Sequence, residues 1–382
     1  MHIEDIAGQV ITAFKNKTPL CIRGGGSKDF LGRTPMGQTL LTTEYHGIVD
    51  YDPAELVLTA RCGTPVEEVE SLLREHGQML PFEPPLFEHG MSNDRGSHSR
   101  DADSESEKTP SGSSTVGGMV AAGLSGPRRP WSGSVRDYIL GTVCVNGCGE
   151  VLKFGGQVMK NVAGYDVSRL MTGSLGTLGV VVEASFKVLP APIKVATRML
   201  EMDEDSAHQF LKRMLATPTP IDATCYYDGQ LYIRLSGSES GVGAGEAAVG
   251  GEQFDAGDEL WRSLRNQNHE FFTQNDTADD DIDLWRLSLP PATPVLPVEP
   301  PTLVEWGGAV RWLRVRFQEF DHDEIESLCK KHGGHAIRFR SIDREAEMNP
   351  PADSVSRRLF ENLKASFDPA GILNPGRLYR DL

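Results

Sequence analysis

Cysteine is scarce in this chain of 382 residues: six thiols, at positions 21, 62, 144, 148, 225 and 329, scattered along its length. Such sparse usage argues against a disulfide scaffold and fits reduced thiols in the cytoplasm. The closest pair, Cys144 and Cys148, has no second pair nearby, so it reads as two half-buried strand or turn cysteines, and no metal site is assigned. Basic charge is also in short supply. Lys and Arg total 38 against 54 Asp and Glu, a net charge of −16. That balance argues against nucleic acid as a partner, because neutralising phosphates needs a basic face. Long apolar runs are missing too: GVVVEASFKVL, from Gly179, stops well short of a membrane span, and no transmembrane segment is expected. The opening MHIEDIAGQV carries acidic residues early and no basic stretch, unlike a secretory signal. What remains is the composition of a soluble enzyme, 39% hydrophobic and 24% charged, with length enough for two domains.

Glycine, by contrast, is plentiful at 40 residues, and it is clustered. IRGGGSKDFLG, residues 22–32, follows a short apolar stretch from Pro19 to Arg23 that reads as a strand. Neither usual phosphate loop fits it. A P-loop ends in Gly-Lys-Ser/Thr, whereas Lys28 follows Ser27; a dinucleotide fingerprint needs a third Gly where Asp29 stands. Consecutive glycines after a strand nevertheless leave backbone N–H groups uncrowded by Cβ atoms, a nest that an anion can approach. Alone, the loop serves equally well as a tight turn. A second cluster changes the balance: Thr115-Val116-Gly117-Gly118, with Gly123, Ser125 and Gly126 beyond it. Two loops able to offer amides fit a long diphosphate cofactor better than a single phosphate. Arg23, Lys28, Arg128 and Arg129 can offset its two charges within an otherwise acidic molecule. A third glycine motif, Gly243 to Ala248, fits Gly-x-Gly-x-x-Ala, but the polar run SGSES separates it from its strand, so it reads as a loop capping a helix.

Around these loops the pattern alternates. Ile3, Ile6, Val10, Ile11 and Phe14 have the spacing of an amphipathic helix. ELVLTAR (55–61) reads as a strand. Thr64-Pro65-Val66-Glu67 then predicts a capping box with proline at the first helical position, Val66, Val69, Leu72 and Leu73 on the buried face, and Gly77 at the end. Strands follow at 142–145 and 150–154 around NGCGE, and a long apolar strand is stopped by Pro190. Strand, loop and helix in repetition indicate α+β or α/β. Residues 197–340 mix helices with isolated strands such as QLYIRLSG and VRWLRVRF. The acidic run at 276–283 and the proline-rich stretch at 289–301 read as surface connections. Residues 88–114 have almost no apolar content and read as a flexible insertion, its His89 and His98 solvated.

The ordered set RGGGSK (23–28), STVGGMVAAGLSGPRR (114–129), GSVRDYILG (133–141), KNVAGYDVSRLMTGSLGTLGVV (160–181) and DPAGILNPGRL (368–378) resembles the FAD-binding subunits of the vanillyl-alcohol oxidase, or PCMH-type, flavoprotein family. Within it the set is similar to the E subunits of bacterial glycolate oxidase, also called glycolate dehydrogenase, as are LWRLSLP (284–290) and VEWGGAVRWLR (304–314). The resemblance implies an α+β fold: a PCMH-type two-lobed FAD-binding domain over 1–192, with 88–114 an insertion, a C-terminal α+β cap domain over 193–345, and a tail, 346–382, returning to the first lobe. It implies FAD, with Arg23, Gly24, Gly25, Gly26, Ser27 and Lys28 at the pyrophosphate. Ser114, Thr115, Val116, Gly117, Gly118, Gly123, Ser125 and Arg128 would then lie along the second loop towards the isoalloxazine, Gly179 and Val181 beside the adenine end, and Asn374 in a turn returning near the flavin. Relatives that bond the flavin covalently carry His just after the glycines; Ser27 stands there, which implies dissociable FAD.

The implied chemistry is oxidation of a small 2-hydroxy acid, glycolate to glyoxylate: a hydride leaves the α-carbon for the flavin while a base takes the hydroxyl proton. The implied partners are a larger homologous FAD subunit and an iron–sulfur subunit that carries electrons onward. The implied place is the cytoplasm, or the inner face of the membrane through those partners. One departure bears on the catalytic base, which the sequence leaves unassigned. Hydroxyacid dehydrogenases of the family usually carry a His-x-Gly-Asp-Gly-Asn-x-His stretch. The nearest thing here, His332-Gly333-Gly334-His335, lacks the carboxylate and the Asn and reads as a turn between helix and strand. Three roles therefore stand open: turnover of the hydroxy acid on this chain, a flavin-bearing structural or relay role, which the missing stretch favours, and a free-standing FAD-dependent oxidase or dehydrogenase of another 2-hydroxy acid or a sugar. Gly25→Val is expected to abolish FAD retention without unfolding the protein.

Overall fold

The computed structural model describes residues 1–87, 112–156, 166–273, 282–298, 301–316, 322–349 and 353–382. Nearly all of the polar insertion, with His89 and His98, lies outside the described residues, as do most of the acidic run and the start of KNVAGYDV.

The first helix, α1 (Ile3–Asn16), buries Ile6, Ala7, Val10 and Ala13, the stripe its 3,4 spacing predicts, while Ile11 stays at the surface. β1 (Leu20–Arg23) and β2 (Gln38–Leu41) pair in parallel. β3 (Ile48–Asp52) and β4 (Val57–Arg61) follow, then α2 (Val66–Glu75) and β5 (Gln78–Met79). α2 starts one residue later than the capping box predicts: Pro65 occupies the N-cap and no side chain caps it. The Thr64 hydroxyl is engaged elsewhere, accepting from Gly47 N (2.8 Å) and donating to Gly47 O (3.1 Å). Next come α3 (Val116–Ala122), β6 (Ile139–Val145), β7 (Val151–Gly155), β8 (Val180–Lys187) and β9 (Leu189–Pro190). An antiparallel sheet runs β3-β4-β8-β6-β7, and β5 pairs with β9.

β8 holds an inner position covered on both faces, which is why VVVEASF reads as a nearly continuous apolar run rather than an alternation. Val181, Ala184 and Phe186 pack with Val66, Val69 and Leu73 of α2 and Val116, Met119 and Val120 of α3. Val180 and Val182 pack against α1 together with Ile372 and Leu373 from the end of the chain. That tail is tied into the lobe: Leu373 forms a parallel bridge with Leu20, and the Lys364 ammonium donates to Thr177 O, Leu373 O and Asp368.

From Lys194 on, all named strands join one other sheet. They are β10 (Lys194–Glu201), β11 (Ile221–Tyr227), β12 (Gln230–Gly237), β13 (Glu252–Gln253), β14 (Ile282–Ser288), β15 (Thr302–Glu305), β16 (Val310–Arg316) and β17 (His335–Arg340). Their order is β13-β10-β12-β11-β15-β16-β14-β17, antiparallel throughout. Gly243 and Gly245 prove to be inside a helix, Glu239–Val249, not in a loop that caps one; Ser238 caps it, accepting from Gly241 N. The proline-rich connection after β14 is not all surface either, since Leu289 and Leu296 are buried. An aromatic cluster joins the two sheet systems: Leu31, Phe87 and the partly buried Ala122, Leu124 and Leu175 pack with Trp261, Phe271, Trp306, Trp312 and Phe339. The candidate site lies along this seam.

Candidate active site

At the end of β1 the chain turns through Gly24-Gly25-Gly26, with Gly26 left-handed (φ +82°). Asp29 N donates to Gly26 O (3.1 Å) and Leu31 N to Lys28 O (3.0 Å), but the amides from Gly24 through Lys28 donate to no group among the described residues. They form a run of free N–H groups, the donor set a nest requires. The glycines are also dictated by a neighbour. A Cβ on Gly24 would sit 2.5 Å from Thr115 Oγ1, and one on Gly25 would enter the Ser113 carbonyl. Gly112 N donates to Gly25 O (2.9 Å), which fixes the two turns side by side.

The second turn is built differently. Thr115 caps α3, its hydroxyl accepting from Gly118 N (3.3 Å). Val116 N donates to Thr64 O (2.9 Å) and Gly117 N to Cys62 O (2.8 Å). The expectation that both turns lend amides is therefore corrected for Val116, Gly117 and Gly118, whose N–H groups are already engaged. Gly117 is there for packing: a Cβ would lie 2.8 Å from the Cys62 Cβ. Gly123 closes α3 in the left-handed conformation (φ +63°), close against Gly173.

Between the turns opens a cleft whose empty space, counted out into open solvent, is about 680 Å³. Of the residues singled out in the sequence, Arg23, Gly24, Gly25, Gly26, Ser27, Lys28, Thr115, Gly117, Gly118, Gly179, Val181 and Asn374 line it. Ser114 stands beneath, accepting from the Lys28 ammonium at 2.5 Å. Val116 faces the core. Arg128 lies away from the cleft, bound to Asp222 (2.7 Å) and beside Glu83 (3.5 Å). Asn374 acts as a clamp: its Oδ1 accepts from Ile22 N (2.7 Å) and its Nδ2 donates to Leu175 O (2.6 Å), joining the first turn to the 175–179 turn. Gly176, in the segment expected beside the adenine end, lines it too; the sequence reading missed Thr42, Ser113, Ala121, Ala122, Leu175 and Arg377, which also line the cleft. Gly176 and Arg377 lay within the motifs GSLGTLGVV and NPGRL; Thr42 carried no signal.

The charge at the cleft is unusual. The Lys28 ammonium is buried with two hydroxyls, Ser27 and Ser114, and the Phe87 ring 5.6 Å away, and among the described residues no carboxylate pairs with it. Burial, with Arg265 nearby, pulls its pKa down to about 7. Arg23 is half exposed and paired with Asp29 (2.7 Å). A buried cation beside a run of amides, neither given a partner acid or acceptor among the described residues, fits a diphosphate. Ser27 offers no imidazole for a covalent link.

The chain that lines the cleft at Gly117, Gly118, Ala121 and Ala122 goes on to line a second, smaller chamber at Leu124, Ser125, Gly126 and Pro127. Across it stand Arg286 of β14, Glu305 of β15, Trp306, Trp312 of β16, Phe87 and Phe339. Arg286 stacks on Trp306 (4.7 Å) and Trp312 (5.7 Å). Trp312 Nε1 donates to Glu305 Oε2 (2.7 Å). Burial pushes the Glu305 carboxyl up to about 7. A polar groove continued by an aromatic-walled chamber fits a ligand with a phosphate middle and a flat conjugated end, the shape of FAD. His332-Gly333-Gly334-His335 is a turn between the helix His322–Lys331 and β17, with Gly333 left-handed (φ +76°). Among the described residues no group of three His, Cys, Asp or Glu is placed to hold a metal.

Comparison with known proteins agrees with this geometry. The family profile described as FAD binding domain matches residues 2–91. The chain is 44% identical to the glycolate oxidase subunit GlcE of Escherichia coli (strain K12), over 98% of this chain and 96% of that protein. It is 29% identical to the glycolate oxidase subunit GlcD of Bacillus subtilis (strain 168), over 56% of this chain and 41% of that one. Among solved structures, p-cresol methylhydroxylase with substrate bound superposes with a TM-score of 0.71 at 16% identity, covering 100% of this chain and 88% of that one, so the fold is of the PCMH type.

Proposed function

Since this chain belongs to the family of the glycolate oxidase subunit GlcE, we propose that it is the FAD-binding subunit of a multisubunit glycolate oxidase, an oxidoreductase that converts glycolate to glyoxylate. FAD would supply the acceptor for the hydride that leaves the α-carbon. The amides from Gly24 through Lys28, with the Lys28 ammonium, would hold its diphosphate. Thr115, Gly117 and Gly118 would flank it closely, and the seam between the two sheet systems would take its conjugated end. With Ser27 after the glycines, the cofactor is dissociable. Residues 1–192 make up the FAD-binding unit and 193–345 the cap, and 346–382 return to the first lobe.

The observation that carries this reading is the run of amides beside a buried lysine, none of them with a hydrogen-bond acceptor and the lysine with no acid beside it among the described residues. The partners are a larger FAD subunit homologous to this chain and an iron–sulfur subunit. Each of the six cysteines here is a separate thiol, so onward electron transfer falls to the partners. Among the described residues no helix is long and apolar enough to cross a membrane, and the subunit works in the cytoplasm or at the inner face of the membrane through its partners.

Reconstitution tests it. The flavin-free chain, titrated with FAD and followed by quenching of flavin fluorescence, should saturate near one FAD per chain. Acid precipitation should then leave the yellow colour in the supernatant. No uptake sinks the proposal; colour in the pellet refutes the dissociable link. A rival reading, a relay subunit with all substrate chemistry on the larger homologue, draws on the absent His-x-Gly-Asp-Gly-Asn-x-His stretch. Anaerobic glycolate added to the FAD-loaded chain separates the two, because only a catalytic subunit bleaches its own flavin.

A further inference from the structure

The chamber beside the cleft holds a cation and a carboxylate that no ion pair claims among the described residues. Arg286 reaches it from β14, its guanidinium over the rings of Trp306 (4.7 Å) and Trp312 (5.7 Å). Among the described residues no hydrogen bond or ion pair uses its guanidinium, whereas Arg265, which also lines the chamber, is tied to Glu70 and to Pro84 O. Glu305 reaches it from β15, one oxygen accepting from Trp312 Nε1, the other without a partner among the described residues. Burying an arginine and a carboxylate without closing them into a bonded pair is costly, and such groups gather where a ligand completes them.

We propose that the side of this chamber where Arg286 and Glu305 stand, beside the conjugated end of FAD, is a substrate site for a small monoanionic 2-hydroxy acid, in which Arg286 takes the carboxylate and Glu305 is the catalytic base for the hydroxyl. The proposal rests on the FAD reading given above and adds the residues that handle the substrate. In the oxidation the substrate O–H and Cα–H bonds break and the C=O bond forms. The proton goes to Glu305, the hydride with its electron pair goes to FAD, and the hydroxy acid leaves as the oxo acid. Arg286 is planar and stays charged at neutral pH even though burial and the neighbouring Arg129 bring it down to about 10. That suits a two-point grip on a carboxylate. Only one uncommitted cation lines the chamber among the described residues, and its wall is aromatic: Phe87, Trp306, Trp312 and Phe339. A second carboxylate would find no partner there, which sets the class at short monocarboxylates.

Glu305 is tuned for the role. The groups that face it are the Trp312 N–H, Arg286, Glu83 behind it and the Cys225 thiol on β11. Burial raises its carboxyl to about 7, the Glu83 charge adds to this, and the Trp312 N–H and Arg286 pull the other way. The result is a base half ionised near neutral pH, where proton transfer in both directions is easiest.

The test uses the full FAD-loaded chain, with flavin content read from absorbance in every variant. Oxamate, a monoanion that cannot be oxidised, is titrated calorimetrically, and flavin bleaching by glycolate is followed anaerobically. Arg286→Met should weaken oxamate about tenfold to a hundredfold, the size of one charged hydrogen-bonded contact. Glu305→Gln should bind oxamate at least as well yet slow bleaching about 10²–10⁴-fold, the range for a lost general base. In the wild type, bleaching should rise with pH through about 7. Glu305→Gln should abolish that limb and Glu305→Asp should restore it in part. A FAD-loaded wild type that neither binds oxamate nor bleaches overturns the proposal and leaves the flavin reading standing. So does a Glu305→Gln variant that keeps both the rate and the pH limb. A chain that takes up no FAD overturns both.

Discussion

The two glycine turns of the cleft share a composition and differ in what their amides do. In the first, Gly24-Gly25-Gly26 leads from β1 into single turns, and the N–H groups through Lys28 donate to no group among the described residues. In the second, Gly117-Gly118 leads straight into α3, and the N–H groups that a helix start leaves open are taken by Thr64 O, Cys62 O and the Thr115 hydroxyl. The first turn is a binding surface, the second a wall. Glycine in the first lets a second chain segment and an anion come close together; glycine in the second lets a helix come close to Cys62. Composition alone does not separate these jobs. The element that each turn leads into does.

Substitutions on the two sides should therefore fail in different ways. Gly25→Val has the largest expected effect. Its side chain would enter the Ser113 carbonyl, which is backbone and cannot swing aside, so the two turns must part. FAD retention should be abolished, and the fold should also lose about 1–3 kcal/mol, the usual cost of overpacking. The structure thus adds a stability cost to the expectation of FAD loss in an intact fold. Gly117→Ala presses a Cβ on the Cys62 Cβ at 2.8 Å and should cost about 1–3 kcal/mol as well, equally with and without FAD. Denaturant melts of flavin-free and FAD-loaded protein check both. If Gly117→Ala leaves stability untouched and removes FAD, the wall is a binding surface too and the contrast fails.

Lys28→Met sharpens the comparison from the electrostatic side. A charged contact to a diphosphate is worth roughly 1.5–3 kcal/mol, so the FAD dissociation constant should rise about tenfold to a hundredfold. Flavin-free stability should respond in the opposite sense. The folded pKa, about 7, lies below the unfolded value of 10.5, so between them the unfolded chain binds more protons than the folded one. The penalty of burying Lys28 is fully present below pH 7 and is relieved as pH rises towards 10.5. Flavin-free wild type should gain stability across that window, and Lys28→Met should lose the gain. Bound FAD should flatten the wild-type slope by giving the ammonium a partner. Chemical denaturation at several pH values between 7 and 10 checks this; a wild-type slope that FAD leaves unchanged removes Lys28 from the diphosphate site.

Much of this arrangement was legible in the sequence, for identifiable reasons. Helix α1 and β8 carry their burial in their periodicity, and the turns carry theirs in glycine. The pairing of Gly25 with the segment at 112–115 was not legible, because it joins positions nearly ninety residues apart through backbone groups that any sequence possesses. The error at α2 has a local cause: Thr64 reads as a cap, but Gly47, brought near by β3 and β4, engages its hydroxyl first. Gly243 and Gly245 misled because glycine in a helix reads as a break, whereas Gly245 needs its bare backbone to sit against Pro220 and Leu235. Arg286 and Glu305 lay in recognisable motifs without a role, since neither the absence of an ion pair to them among the described residues nor their meeting from β14 and β15 shows along the chain.

The smallest predicted effect tests how far the first turn is shaped before any ligand arrives. Arg23 and Asp29 form an ion pair of 2.7 Å at the mouth of the cleft, with side chains 38% and 48% exposed. Exposed pairs contribute about 0.2–1 kcal/mol, so Asp29→Asn should barely change the melt of the flavin-free chain. The carboxylate is nevertheless the wrong sign for a diphosphate, and it engages Arg23, a cation that lines the cleft. Removing it should tighten FAD by a few-fold at low salt, a gain that fades as salt screens exposed charges over a Debye length of about 10 Å. Flavin titrations at low and high ionic strength measure the difference. Should Asp29→Asn instead weaken FAD tenfold at every salt concentration, the pair is a brace that holds the free amides in place, and the first turn is as rigidly built as the second.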